Sequence, residues 1–237
     1  MTSPSAPQPT AQTECSQPPA ARTFPVHHHP TSSAPDPQLR LETLLVRSGT
    51  GTDPATGAIT TPIHLSTAYG HPGLGESTGY DYTRTASPTR DVLQDALARL
   101  EGGTAAFALS SGMAALELVT RTLAPHGSRI VALRDLYGGS FRFLEVLAEE
   151  EAAHVDFVLG LEGLRGALAD PADLVIIETP TNPMMEEISI PEAAELAHAA
   201  GAKLVVDNTF YTPVVQRPLE LGADVVVHSG TKYLGGH

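Results

Sequence analysis

Two hydrophobic rhythms alternate along this chain. Short, mostly apolar runs stand at 105–109, 129–133, 155–158, 174–177, 204–206 and 225–227, interrupted only by Arg129 and Asp156, and each reads as a strand. Between them, apolar positions three and four apart predict helices over 141–150, 161–169 and 191–200, and one opened by Ser110, Ser111, Gly112 and Met113 that runs through Leu123. A helix over 88–100 has the clearest punctuation, with Ser87 as N-cap, Pro88 in the first turn and Gly102 at its stop. Its Val92, Leu93, Ala96, Leu97 and Leu100 share one face. Pro191 and Gly201 bracket the helix over 191–200 in the same way. Largely apolar strands alternating with helices predict an α/β fold, a mostly parallel sheet with helices on both faces.

The pattern fades toward the N-terminus. A short amphipathic helix is predicted over 39–48, and 49–87 is an irregular stretch rich in Gly, Thr, Pro and Tyr. A loop that long inside a compact domain is either functional or packed on a partner. Residues 1–38 are rich in Ser, Thr, Pro, Gln and Ala and are expected to be disordered, because they bury too little to offset ordering entropy. His27, His28 and His29 fall there without further ligands nearby, so no metal is expected.

Composition narrows the function classes. A formal charge of −13 argues against a nucleic-acid surface. Cys15 is the only cysteine, so no disulfide can close within the chain. No apolar run approaches the ~20 residues that span a bilayer, and the N-terminus lacks a basic-then-apolar leader, so a cytoplasmic protein without membrane contact is expected.

Candidate chemistry collects where the strands end. After the run at 129–133 come Asp135 and Tyr137; after 174–177 come Glu178, Thr181 and Asn182; after 204–206 come Asp207, Asn208 and Thr209. After 225–227 come His228, Ser229, Thr231 and Lys232. In a parallel sheet these share the carboxyl edge, where ligands bind. The chain has only two lysines, and the other, Lys203, opens a strand. A desolvated lysine condenses with an aldehyde, and adjacent hydroxyls hold a phosphate, which together describe pyridoxal phosphate. Lys232 reads equally as a solvated lysine in a Gly-rich loop. Asp207 follows an apolar run and needs a cation, which a protonated pyridine would supply; it also reads as the cap of a turn through Thr209. Tyr137 is either a wall for a ring or a core aromatic, and Asn182 either a donor to a ring hydroxyl or a turn residue before proline. The Ser/Gly turn before 112–123 is a ready anion site, although such turns are also small for steric reasons. Tyr80, Tyr82 and Arg84 form either a packing loop or an arm that delivers an arginine to an anion. A nucleotide loop at SGTKYLGG is disfavoured, because the order G-x-x-x-x-G-K-[ST] is absent.

The segments YDYTRTASPTRD, LEGG, SSGMAA, LYGGS, ETPTNP, VVDNTF and GADVVVHSGTKYLGGH run in order over about residues 40–237. Together they resemble the Cys/Met-metabolism family of pyridoxal-phosphate enzymes, which includes cystathionine synthases and lyases, methionine γ-lyases and O-acylhomoserine sulfhydrylases. The resemblance implies the large domain of an aspartate-aminotransferase-like (fold type I) transferase over 88–237, with 39–87 an arm reaching a neighbouring subunit. It implies pyridoxal 5'-phosphate as cofactor, Lys232 as its Schiff-base lysine and proton shuttle, Asp207 against the pyridine nitrogen and Tyr137 on the ring face. It implies backbone N–H groups of Gly112 and Met113 and hydroxyls of Ser229 and Thr231 at the phosphate, and Asn182 near the phenolic oxygen. Tyr82 and Arg84 would reach a neighbouring subunit's phosphate, so a homodimer or homotetramer is expected. Ser87 and Gly230 stand where the family often has Asn and Ala or Cys, small changes that leave the chemistry intact.

Small-molecule amino acids are the implied substrates. Gly139 occupies the place of the cysteine common in methionine γ-lyases, which counts against that activity. GLGESTGYDYTR, DLYGGSFR and NTFYTPVVQRPLELGAD look most like bacterial cystathionine γ-synthases that also act as O-acetylhomoserine thiolyases. A cystathionine γ- or β-lyase is the alternative. The family continues past its lysine into a smaller C-terminal domain that holds an arginine for the substrate carboxylate, and the sequence ends at His237. The 237-residue chain is therefore expected to bind cofactor at most and to turn over no substrate alone.

Overall fold

A computed structural model describes residues 39–235 except 52 and 54; the tail at 1–38, with its three histidines and Cys15, lies outside the described residues. The helices are α1 (Leu41–Arg47), α2 (Pro88–Glu101), α3 (Gly112–Leu123), α4 (Gly138–Glu149), α5 (Gly160–Ala167), α6 (Ile190–Ala199) and a single-turn α7 (Thr212–Val215). The strands are β1 (Ser128–Leu133), β2 (Ala153–Val158), β3 (Leu174–Glu178), β4 (Lys203–Asp207) and β5 (Val225–Val227). They form one sheet in the order β2-β1-β3-β4-β5, with every neighbouring pair parallel.

Handedness explains the layers. The chain steps outward from β1 to β2 through α4, then turns back through α5 to β3 and onward through α6 to β4. Right-handed crossovers taken in opposite directions put their helices on opposite faces. Accordingly α3 and α4 touch each other, α5 and α6 touch each other, and the sheet lies between. Ile130, Val131, Val175, Leu204 and Val205 have no solvent exposure at all, as expected of strands covered on both sides. The direction reverses between β1 and β3, which opens a crevice at the carboxyl ends of these strands.

Local signals act as read, with small shifts. Gly102 ends α2 in the left-handed region at φ 72°, where a side chain would be strained. Ser87 stands at the N-cap of α2 without a side-chain cap bond, whereas Ser111 caps α3 by accepting the Ala114 N–H at 3.1 Å. Helix α4 begins at Gly138, three residues before its predicted start, which makes Tyr137 its N-cap.

One predicted strand is corrected. Residues 105–109 join no ladder: among the described residues their backbones bond no other backbone, and the Ala108 N–H donates to Gln94 Oε1 at 2.9 Å. The free edge of β5 lies across a groove of about 330 Å³ lined by Leu97, Ala115, Leu118, Val119 and Val226. An apolar run supplies strand propensity, but the strand exists only when a partner accepts its hydrogen bonds. Phe107 consequently stays 67% exposed. The stretch from 48 to 87 is irregular apart from isolated antiparallel bridges between Thr50 and Thr60 and between Ala68 and Tyr82. Ile59, Ile63, Leu65 and Leu74 are exposed along it.

Candidate active site

The crevice at the carboxyl edge holds a cavity of about 350 Å³, within the usual range for a small-ligand site. Each wall comes from a different turn at the carboxyl edge of the sheet. Ser111, Gly112 and Met113 enter from the start of α3, Tyr137 from the start of α4, Glu178 and Asn182 from the end of β3, and Asp207 and Thr209 from the end of β4. Ser229, Thr231 and Lys232 enter from the turn after β5, which the Lys232 N–H closes onto the Ser229 carbonyl at 3.0 Å.

At one end lies a small-residue cradle. The start of α3 approaches the β5 turn so closely that a Cβ on Gly112 would stand 2.9 Å from Ser229 Cβ and 3.0 Å from its Cα. Nothing larger than glycine fits there, and the first N–H groups of a twelve-residue helix face the space beside the Ser229 and Thr231 hydroxyls. A Gly112→Ala substitution is expected to cost about 1–3 kcal/mol of stability by overpacking. It should also weaken binding of pyridoxal phosphate more than that of unphosphorylated pyridoxal; parallel titrations with both compounds check this.

At the other end the charge is negative. Asp207 Oδ1 accepts both the Thr209 hydroxyl (2.5 Å) and the Thr209 N–H (3.0 Å), so the turn-capping reading of this carboxylate holds in part. Among the described residues no protein donor reaches Oδ2 and no cation pairs with Asp207. Burial pushes its carboxyl above the usual range, while the Thr209 bonds and the charge of His228 pull it back. Glu178, its register neighbour on β3, is pushed from 4.5 to about 8, by burial first and then by the Asp207 charge. Thr209 Oγ1 also accepts the Ser229 N–H at 2.9 Å, which ties the acidic end to the cradle.

A buried polar brace stands behind both. Glu101, 5% exposed, accepts His228 Nε2–H at 2.5 Å and Asn208 Nδ2–H at 3.1 Å. Asn208 exchanges bonds of 2.9 Å with Gln216, whose amide also donates to the Thr179 carbonyl at 3.0 Å. The brace fixes the neighbours of Asp207 and Ser229 rather than touching the cavity itself.

The structure gathers Lys232, Asp207, Tyr137, Gly112, Met113, Ser229, Thr231 and Asn182 around the one cavity. Tyr82 and Arg84 are not among its walls; they lie exposed on the irregular stretch, with the Arg84 guanidinium 5.1 Å from the Tyr82 ring centre. Lys232 departs from expectation in one respect. Its side chain is exposed, so these elements do not supply the desolvation read from the strand it follows. Glu178 lines the site although no role was assigned to it from sequence; its place as the acidic residue that closes an apolar strand, as Asp207 closes the next, was the available signal. Among the described residues no group could hold a metal ion and no helix is long and apolar enough to cross a membrane.

These residues fit pyridoxal phosphate. The free Asp207 Oδ2 offers an acceptor to a cationic ring nitrogen, the glycine-tight cradle offers donors to a phosphate, and Lys232 is the only lysine or arginine on the cavity wall among the described residues.

Comparisons with known proteins converge. A family model described as Cys/Met metabolism PLP-dependent enzyme matches residues 42–237. A Bacillus subtilis cystathionine gamma-synthase/O-acetylhomoserine (thiol)-lyase is 48% identical over 83% of this chain and 53% of its own length. A Lactococcus lactis cystathionine beta-lyase is 41% identical over 83% of this chain and 52% of its own. The crystal structure of cystathionine gamma synthase from Xanthomonas oryzae, in complex with aminoacrylate and cysteine, superposes with a TM-score of 0.81 at 42% identity, covering 84% of this chain and 52% of that one. The chain spans about half the length of the relatives it matches.

Proposed function

The chain belongs to the Cys/Met-metabolism family of pyridoxal-phosphate-dependent enzymes, and from that premise we propose that it is the cofactor-binding part of a trans-sulfuration enzyme that replaces the γ-substituent of an O-acylhomoserine with cysteine or sulfide. The observation that carries the reading is the placing of Lys232, Asp207 and the Gly112–Ser229 cradle around one cavity. When bound, pyridoxal phosphate condenses with amines and draws off the electron pair left by a departing α-proton. The protein's own residues do the rest. Lys232 Nζ would hold the cofactor and carry protons away from first the α- and then the β-carbon of the substrate, so that the γ-substituent can depart with its bonding electrons. Asp207 Oδ2 keeps the ring nitrogen charged, Tyr137 walls the ring, and Asn182 donates near its phenolic oxygen. The first N–H groups of α3 and the hydroxyls of Ser229 and Thr231 orient the phosphate.

Synthase chemistry is favoured over lyase chemistry by the 48% identity to a synthase against 41% to a β-lyase. Gly139 agrees: a Cβ there would run into Tyr137 Cε1, so the cysteine common in methionine γ-lyases has no room beside this tyrosine as it stands. The exposed apolar residues of the stretch at 48–87, with Tyr82 and Arg84 outside the cavity, support a homo-oligomer in which that arm serves a second subunit. No arginine lines the cavity among the described residues, so a substrate carboxylate finds no guanidinium partner in it.

The purified chain is therefore expected to bind pyridoxal phosphate without sustained turnover. Joined to the remaining half of the Bacillus subtilis relative, it should make cystathionine from O-acetylhomoserine and cysteine. Cleavage of cystathionine to a 2-oxo acid without condensation would move the assignment to a lyase.

A further inference from the structure

Glu178 closes β3 and is 3% exposed, yet the chemistry derived above does not use it. Its Cα pairs in register with Asp207 on the adjacent parallel strand, which sets the two carboxyls side by side on one face of the sheet edge. Its Oε2 accepts the backbone N–H of Tyr137 at 2.5 Å. Tyr137 is the N-cap residue of α4 and, at 48% exposed, is not enclosed by close packing. The absence of a side chain at Gly139 leaves the ring its space. The backbone therefore sets where the ring stands, and Glu178 is the side chain that bonds that backbone.

We propose that Glu178 is a positioning residue for the cofactor: through the Tyr137 N–H it fixes the tyrosine that walls the ring, and it leaves Asp207 as the carboxylate for the ring nitrogen. This rests on the pyridoxal phosphate reading of the cavity. The groups that act on Glu178 are the Asp207 carboxyl on β4 and the Tyr137 backbone N–H at the start of α4; Lys232 lines the same cavity beyond β5, and His228 acts on Asp207. Adjacent buried carboxylates without a bound cation share a proton. Glu178 is the natural holder, since Asp207 has the Thr209 donors and His228 to favour its charge. A cationic ring nitrogen beside the pair lowers the Glu178 pKa. Binding then expels a proton, and this contribution to affinity grows as pH rises until the free protein's Glu178 has itself ionised near 8.

Glu178→Gln copies the protonated form and keeps an acceptor for Tyr137; Glu178→Ala removes it. Pyridoxal phosphate dissociation constants of the wild-type chain and of E178Q should agree at acidic pH. They should separate as pH rises, E178Q becoming weaker by up to about tenfold for each unit by which binding lowers the wild-type pKa. The cofactor's own ionisations cancel in this ratio. In the cofactor-free chain the Tyr137 amide should exchange slowly in wild type and E178Q and quickly in E178A. The circular dichroism induced in bound cofactor should fall in E178A at every pH. A ratio that stays flat with pH, or a Tyr137 amide equally protected in E178A, would overturn the role of Glu178 while leaving the cofactor reading intact. A wild-type chain that binds no pyridoxal phosphate would overturn both.

Discussion

Replacing Lys232 by alanine is expected to abolish covalent capture of pyridoxal phosphate. Borohydride should fix about one pyridoxyl group on the wild-type chain and none on the variant. In a polypeptide that turns over, loss of the same amine should lower the rate by at least roughly 10²–10⁴-fold, the usual worth of a positioned proton carrier. The contrast with Lys203 gives the control. That lysine opens β4 at the opposite edge of the sheet, four steps or ~13 Å along the strand from Asp207. Its ammonium is already tied to Asp224 at 2.7 Å. Lys203→Ala should therefore bind cofactor as the wild type does. Intact-protein mass after reduction reads both variants, and full labelling of the Lys232 variant would remove Lys232 from its role.

Asp207→Asn should act in opposite directions on binding and on stability. The asparagine oxygen can still accept from Thr209, so the turn survives, but the partner for a cationic ring nitrogen is neutral. Losing a charged hydrogen bond worth about 1.5–3 kcal/mol predicts cofactor affinity lower by roughly 10- to 150-fold. The cofactor-free chain should nevertheless become more stable at neutral pH. Both carboxyls have folded pKa values raised by burial, so the folded state binds more protons than the unfolded one. Stability is then fully present below the ordinary carboxylate range and is lost as pH rises, for Glu178 between 4.5 and about 8. Removing the Asp207 charge relieves that loss. Thermal melts of wild type and variant across this range, paired with pyridoxal phosphate titrations, measure both signs. A variant that loses affinity and stability together would mean that Asp207 only braces the turn.

Much of this site could be read before any coordinates, because its residues stand where punctuation is strong. Runs such as Leu174–Glu178 and Lys203–Asp207 change from apolar to polar at one residue, and parallel pairing sends every such change to the same edge. What escaped depends on partners rather than on local pattern. Residues 105–109 have the composition of a strand, but pairing is a property of two segments, and β5 lies across a groove from them. Exposure of Lys232 is likewise set by what covers the β5 turn, which a short valine run does not report. The part played by Glu178 needed the register with Asp207 and the early start of α4, because only then does its carboxyl meet the Tyr137 N–H. The single turn of α7, four residues long, is too short for a helical period to mark.

The central claim is that one lysine at the end of β5 and one carboxylate at the end of β4 hold the two ends of a single cofactor ring. Its most direct measurement is reduction of the wild-type chain with borohydride in the presence of pyridoxal phosphate, followed by peptide mapping of the two lysines. A pyridoxyl group is expected on Lys232, displaced by neither free phosphate nor salt once reduced, with Lys203 unmodified. Labelling of Lys203, or of neither lysine, would contradict it.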